Sequence, residues 1–205
     1  MDNLEYLNHI AQSNRPVKRT SGAPISLIIK ILLGGLVLFV LILSFGSMLG
    51  GKSTKSSDLV KQLYVRTTNL DSTINSYNKS LKSSKLRAIG ISLSGILTSA
   101  SSQLSAYISS TDSSKNALQP NEQITAEEAE NINALNLSLE NAKLNGILDR
   151  TYVTQIHLQV SLLLSMVSQL SSRNDNETLN AILESYISNL AVIEQSFQDY
   201  SSPGN

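Results

Sequence analysis

The residues that most often bind metals or act as nucleophiles are scarce in this chain. It has no cysteine and two histidines, His9 and His157. Cysteine-based zinc sites and cysteine nucleophiles are therefore excluded, and no Glu-x-x-His pair is present to build a di-iron centre between helices. The many serines lack a neighbouring base, and no Gly-rich phosphate-binding loop occurs. We predict no catalytic residues, no metal and no cofactor, and therefore no enzyme.

A different chemistry is offered by a cluster of lysines, Lys79, Lys82 and Lys85. On a continuous helix these three side chains fall within about 120° of arc, while Arg87 points elsewhere. Such a cluster fits contact with an anionic surface, for example lipid headgroups or an anionic wall polymer, and it also fits a solvated helix face. Because no aromatic residue is interleaved with these lysines, a nucleic acid is not an expected partner.

The run from Ile31 to Gly51 contains 21 residues and no charge. As an α-helix it spans about 32 Å, which matches the roughly 30 Å hydrocarbon core of a bilayer. A cleaved signal peptide has a shorter apolar region followed by a small-residue cleavage site, and a buried core helix is rarely apolar all round. We therefore predict an uncleaved membrane anchor, whose apolar residues include Ile31, Leu32, Leu36, Phe39, Leu43 and Phe45.

The orientation of this anchor is predicted from the basic residues that flank it. Lys and Arg are slightly more numerous on the N-terminal side, which favours a cytoplasmic N-terminus in a single-pass protein of the cell membrane. His9 and His157 then lie on opposite sides of the membrane. The expected organisation is a cytoplasmic tail (1–24), the anchor (25–50), a flexible exit (51–56), a membrane-proximal helix or stalk (57–82), an extracytoplasmic helical bundle (83–200) and a disordered tail (201–205).

Apolar residues recur beyond the anchor with the spacing of bundle helices. One stripe runs from Leu63 to Ile91, and a change of stripe near Lys82 predicts a kink, a break or a helix that changes neighbours there. We predict an all-α fold, with one transmembrane helix followed by an antiparallel, up-down four-helix bundle and a stalk helix. A rival layout keeps Gly146 inside one long helix and gives a three-helix coil. The four predicted bundle segments are 86–110, 125–145, 149–172 and 175–200.

Helix starts are predicted from residues with capping side chains. Thr125 and Glu128 have the spacing of a capping box, so we interpret Glu128 as a capping acid and not as a metal ligand. Asp149 is expected to cap the next helix, and Asn174 or Asp175 the last one.

The apolar stripe of segment 57–82 must be covered by something. A partner chain, self-association or a fold-back onto the bundle would each cover it, and the stripe is a candidate partner face. Its residues are Leu59, Leu63, Leu70, Ile74, Tyr77 and Leu81.

Charge is divided along the chain, although the net charge is zero. Residues 53–115 carry eight Lys or Arg against three Asp or Glu, and residues 116–205 carry three against eleven. The basic part is expected to pack beside the acidic part within one bundle, or else to leave a polarised surface that steers a charged partner.

These features predict a non-enzymatic, membrane-anchored interaction or assembly subunit of a cell envelope, with a protein partner or self-association through helices. The anchor followed by a helical bundle resembles the ectodomain half of a bacterial transmembrane sensor. The resemblance is one of architecture and transfers no residues. The alternative function is a small-ligand-binding or sensory module that works with a separate signalling partner, with the ligand near Ser99–Ser105 or His157. A pilin-like filament subunit is less expected, because no Glu follows Gly22 at the start of the apolar helix.

Overall fold

The computed structural model describes residues 56–114 and 116–201, which belong to one compact unit, Lys52–Asn205. The predicted anchor, with Ile31, Leu32, Leu36, Phe39, Leu43 and Phe45, lies outside the described residues. Within them all regular secondary structure is α-helical, which confirms the all-α prediction. The helices are α1 (Ser56–Asn78), α2 (Ser84–Thr111), α3 (Glu122–Leu144), α4 (Leu148–Ser171) and α5 (Glu177–Ser201). None of these helices is both long and apolar enough to cross a bilayer.

The described helices form an up-down bundle in which α1 and α4 each pack against three other helices. Helix α1 packs against α2, α3 and α4, and α5 packs against α2 and α4. The start of α1 contacts the end of α2 through Lys61 and Asp112, as expected for antiparallel neighbours joined by a short turn. The prediction of a four-helix bundle with a separate stalk therefore needs correction, because the segment assigned to the stalk is a fifth packed helix.

The core consists of one apolar stripe from each helix. On α1, Leu63 and Ile74 are fully buried and Leu70 is 2% exposed. This stripe ends at Leu81, and Ile91, which the sequence placed on the same stripe, is 65% exposed. The chain reverses between these two residues, so the three- and four-residue spacing no longer marks one face.

A tight turn over residues 79–83 separates α1 from α2, so the break is the one observed among the three alternatives near Lys82. Ser83 is the N-cap of α2, and its side chain accepts a hydrogen bond from the Leu86 backbone N–H. The carboxylate of Asp149 accepts hydrogen bonds from the backbone N–H groups of Lys82 at 2.9 Å and Ser83 at 2.8 Å. Asp149 was expected to cap α4 and instead caps this turn, so that α4 begins after Ile147 with no side-chain cap.

The turn between α3 and α4 distinguishes the layout with separate helices from the layout in which segment 125–172 is one long helix. Gly146 adopts a φ of 72° there, a left-handed conformation that favours glycine. The Ile147 backbone N–H donates to the Ala142 carbonyl at 2.9 Å and closes the helix end. Segment 125–172 is therefore two helices, and the three-helix layout is wrong.

Two predicted helix starts were also placed incorrectly. Helix α3 begins a turn earlier than expected, with Asn121 as its N-cap accepting from the Ile124 backbone N–H at 3.0 Å. Thr125 therefore lies inside the helix, where its hydroxyl donates to the Asn121 carbonyl. At the start of α5, Asn176 accepts from the Leu179 backbone N–H at 3.0 Å, in place of Asn174 or Asp175.

Gly90 marks a close approach between α2, the end of α1 and α4. A Cβ atom at this position would lie 2.6 Å from Asn78 Oδ1 and 2.9 Å from the Tyr152 hydroxyl. At Gly95, one helical turn and a half further on, a Cβ atom would have no neighbour within 4 Å. Gly90 is thus required by packing, whereas Gly95 only lowers helix propensity.

We predict opposite results for alanine at these two glycines. Gly95→Ala should stabilise the full chain by about 1 kcal/mol, the difference in helix propensity. Gly90→Ala should be less stable than Gly95→Ala by about 1–3 kcal/mol, because its methyl group overpacks against Asn78 and Tyr152. Urea unfolding of the full chain in mild detergent, followed by circular dichroism, measures both. Equal stabilisation by the two substitutions would contradict the close approach.

Candidate functional site

A buried ion pair joins α1 to α3 in the interior of the bundle. Arg66 donates from Nη2 to Glu128 Oε1 at 2.7 Å and from Nε to Glu128 Oε2 at 2.9 Å. Gln62 Nε2 also donates to Glu128 Oε1 at 2.7 Å. The Arg66 and Glu128 side chains are 8% and 3% exposed. The predicted role of Glu128 as a capping acid is therefore wrong, because this carboxylate is engaged in a bidentate pair of the kind that fixes geometry.

The surroundings of this pair leave little room for a ligand. Asn69, Asn131 and Gln159 line the adjacent cleft, whose volume is about 20 Å³. A space of this size holds about one water molecule. Since Glu128 accepts three hydrogen bonds from protein donors, the pair is built for structure and not for acid–base chemistry.

His157, one of the two predicted ligand-binding positions, lies between α4 and α5. Its ring stacks on Phe197 with centroids 5.7 Å apart, and its Nε2 lies 4.0 Å from Glu194 Oε1. The Ser161 hydroxyl donates to the same carboxylate at 2.8 Å. In a catalytic triad the histidine bridges serine and acid, whereas here the acid bridges serine and histidine. This arrangement does not activate Ser161 as a nucleophile.

The other predicted ligand position, Ser99–Ser105, faces partly outward on α2. Ser99 and Ser102 are exposed, and Gln103 Nε2 donates to the Ser99 hydroxyl at 3.1 Å. On the inner side of the same segment, Leu97 and Leu104 are fully buried. The helix therefore closes the core here, and the structure does not bring Ser99–Ser105 together with His157.

The stripe selected as a partner face is buried inside the chain's own bundle. Leu63, Leu70, Ile74, Tyr77 and Leu81 are 8% exposed or less, and Leu59 is half-buried. Tyr77 donates its hydroxyl to the Asn136 carbonyl of α3 at 3.0 Å. Of the coverings that the sequence left open, the fold-back onto the bundle is the one observed, and these residues offer no face to a partner.

The bundle end opposite Ser56 carries the three predicted lysines. Lys79, Lys82 and Lys85 are exposed, but the turn over 79–83 separates them, so the premise of one shared helix face is wrong. Lys79 and Lys82 lie in the turn, and Lys85 lies at the start of α2, where its Nζ is 5.8 Å from the Tyr200 ring centroid.

The same end contains residues that the sequence did not select. A cleft of about 350 Å³ lies between the α1–α2 turn and the α3–α4 turn. Lys82, Lys143 and Arg150 line it, together with the apolar side chains of Ile147 and Leu148. We call this end, with Lys79, Lys82, Lys85, Lys143, Leu144, Ile147 and Arg150, the basic tip.

Exposed aliphatic side chains concentrate near this tip. Leu144 is 76% exposed and Ile147 is 55% exposed, and Leu137, seven residues before Leu144 on α3, is 64% exposed. Residues seven apart lie on the same side of a helix. The signal in the sequence was present, because Leu137 and Leu144 fall outside the buried α3 stripe that contains Leu135 and Leu139.

The opposite end of the bundle also has a cleft, of about 320 Å³, near the start of α1. Lys61 Nζ there lies 2.7 Å from Asp112 Oδ2. The hydrogen bond from Lys61, supported by the Ser114 backbone N–H, lowers the pKa of Asp112 to about 2. The basic part of the chain (53–115) and the acidic part (116–205) were expected to pack together, and they meet at the pair of Arg66 and Glu128. Lys61 and Asp112 both belong to the basic part.

No group of three or more His, Cys, Asp or Glu side chains within residues 56–114 and 116–201 is placed to hold a metal ion. No family model, curated protein or solved structure matches the chain. The functional argument therefore depends on the molecule's own surfaces, and the basic tip with the adjoining outer face of α3 is the candidate site.

The buried ion pair gives a prediction about stability. Glu128→Ala should destabilise the full chain by about 3–5 kcal/mol, because the Arg66 guanidinium loses its counter-charge in the interior. The double substitution Arg66→Met with Glu128→Leu should recover most of that loss, since it removes both charges and keeps the volume. Urea unfolding measures both effects. Asp112→Asn, which breaks the more exposed pair with Lys61, is the matched control and should change the midpoint far less.

Two buried tyrosines predict a loss of stability at alkaline pH. Burial raises the pKa of Tyr152, and burial together with the Asp71 carboxylate raises the pKa of Tyr186, partly offset by the Thr67 hydroxyl. Since the folded pKa exceeds the ordinary value of 10.0, the unfolded state loses its protons first. Stability should be full below pH 10 and should then fall by about 1.4 kcal/mol per tyrosine over the next pH unit.

Phenylalanine substitutions separate this effect from ordinary packing. The double variant Tyr152→Phe with Tyr186→Phe should show a shallower fall in urea midpoint above pH 10 than the original chain. At pH 8, Tyr186→Phe should cost about 1 kcal/mol, because it removes the 3.0 Å hydrogen bond to Thr67. Tyr152→Phe should cost less, since its hydroxyl has no hydrogen-bond partner among the described residues. Identical slopes for the double variant and the original chain would contradict the assignment.

Proposed function

We propose that this chain is a non-enzymatic, membrane-anchored docking module of the cell membrane. In this proposal the uncharged run Ile31–Gly51 anchors the chain as a single-pass protein with a cytoplasmic N-terminus. The bundle is then a rigid extracytoplasmic body that presents a contact surface. The anchor is supported by the length and the lack of charge of the run.

The observation that carries the proposal is the clustering of exposed aliphatic residues on a bundle whose core is closed. Of the large hydrophobic side chains exposed in the described residues, Leu137, Leu144 and Ile147 lie on α3 and its following turn, while Ile91 and Val192 are isolated on α2 and α5. Single exposed aliphatics are ordinary, but three of them on one helix and its following turn favour an interaction site. We call Leu137, Leu144 and Ile147 the α3 apolar face.

The interior supports docking over catalysis. Glu128 and Arg66 are committed to each other, and Glu194 is shared by Ser161 and His157. Both clusters join neighbouring helices, the first α1 to α3 and the second α4 to α5. Binding of a partner at the surface gives the α3 apolar face a role. A reaction inside the bundle would give it none.

The proposal predicts that the α3 apolar face is covered in native membranes. Because the chain has no cysteine, Leu144→Cys and Val192→Cys each supply a single thiol at comparably exposed positions. Leu144→Cys should react with a water-soluble maleimide several times more slowly in native membranes than after solubilisation in mild detergent. Val192→Cys should react at the same rate in both conditions.

Resistance of the full chain to alkaline carbonate extraction is the accompanying control for the anchor. Leu36→Glu with Leu43→Glu should release the chain from the membrane pellet, since two carboxylates in the span are costly in lipid. Equal labelling rates at positions 144 and 192 in native membranes would contradict docking through α3, and extraction of the original chain by carbonate would contradict the anchor.

A further inference from the structure

The basic tip combines apolar and cationic groups at the point where the chain reverses. Leu144 and Ile147 flank the Asn145-Gly146 turn and are exposed on both sides of it. Lys143 directly precedes this pair, and Arg150 follows it by one helical turn. Apolar side chains next to basic residues are the combination with which amphipathic segments bind the interfacial region of an anionic bilayer.

The charges around the tip are predominantly positive. Asp149 is committed to the backbone N–H groups of Lys82 and Ser83, and Glu140 lies 3.7 Å from Lys143 at the side of α3. Asp199 accepts from Gln195 on α5. The basic side chains that outnumber these acids are those of Lys79, Lys82, Lys85, Lys143 and Arg150.

The shape of the tip selects among anionic partners. Leu144 is 76% exposed at the end of α3 and is not among the residues that line the adjoining cleft, so its side chain projects beside that cleft. A fluid bilayer adapts to a projecting apolar side chain, while lysine and arginine stems reach headgroup phosphates from the rim. An acidic protein partner would need a matching concave pocket.

The geometry points to a second membrane contact: the basic tip inserts Leu144 and Ile147 at the surface of an anionic bilayer, with Lys82, Lys143 and Arg150 on lipid phosphates. This inference rests on the proposed function and deepens it, since it names the partner of the docking surface as anionic lipid. The tip lies at the end of the bundle opposite Ser56, the first described residue after the anchor run.

A fluorescent label at the tip tests the inference on the full chain. Asn145→Cys carries an environment-sensitive nitrobenzoxadiazole dye on an otherwise cysteine-free chain, and Asn116→Cys in the α2–α3 loop carries the same dye at the other end. The chain is reconstituted into vesicles of phosphatidylcholine alone or mixed with phosphatidylglycerol. The phosphatidylglycerol proteoliposomes report contact of the tip with the bilayer that holds the chain. Empty vesicles of each composition, added to the phosphatidylcholine proteoliposomes, report contact with another bilayer.

The expected result is a blue shift and a rise in emission at position 145 in at least one phosphatidylglycerol arm, with none at position 116. The vesicle affinity in that arm should fall about fivefold for each basic residue removed from Lys82, Lys143 and Arg150 by glutamine. Leu144→Ser with Ile147→Ser should abolish the shift. The matched controls Arg173→Gln and Ile91→Ser should retain it, because both positions are exposed away from the tip.

The other outcomes overturn the inference in distinguishable ways. No shift in either phosphatidylglycerol arm excludes lipid as the partner, and an equal shift with phosphatidylcholine alone excludes recognition of charge. A shift produced by soluble polyglutamate instead of vesicles assigns the tip to an acidic protein. Flotation of the chain with its vesicles tests the anchor separately, and protection of Leu144→Cys in native membranes without any lipid response retains the proposed docking role while rejecting lipid.

Discussion

The bundle depends on a single packing register of α1, in which the neighbouring helices cover its apolar stripe. Most helical stability in proteins comes from packing of the apolar face, so α1 depends on α2, α3 and α4 to cover its stripe. The fork of Arg66 meets Glu128 at 2.7 and 2.9 Å, and a shift of α1 along α3 would bury both charges apart from each other. Because that penalty amounts to several kcal/mol, the pair excludes neighbouring registers even if it adds little net stability.

The position of α1 in turn determines the basic tip. With α1 fixed, its turn into α2 lies beside the start of α4, where the Asp149 carboxylate holds two backbone N–H groups of that turn. This contact brings Lys82 and Arg150 to the same cleft and holds the Asp149 carboxylate against the turn. The cationic cleft is thus a product of tertiary structure, because its lysines and arginine come from three separate parts of the chain.

The sequence predicted helices better than helix ends, for physical reasons. Buried stripes such as Leu179 to Phe197 repeat with the helical period, and burial enforces that period along the whole helix. Caps are less specific, since Ser, Asn, Asp and Thr occur at many neighbouring positions and tertiary contacts choose among them. Glu128 illustrates the limit: four residues after Ile124 it lies on the buried face, but only the position of Arg66 on another helix shows why a charge is tolerated there.

Only part of the candidate site was predictable from the sequence, because its residues come from separate segments of the chain. Lys79, Lys82 and Lys85 were visible as a cluster, whereas Lys143, Leu144 and Ile147 join them only after the chain folds. Charged residues make up 16% of the chain, below the roughly 25% usual in soluble domains, so much of the bundle surface is uncharged Ser and Asn. A local excess of positive charge on such a surface has few neighbours to neutralise it, and its field extends to about 8–10 Å at physiological salt. That distance reaches the phosphates of a surface that Leu144 touches, so the apolar and cationic parts of the tip act on the same partner.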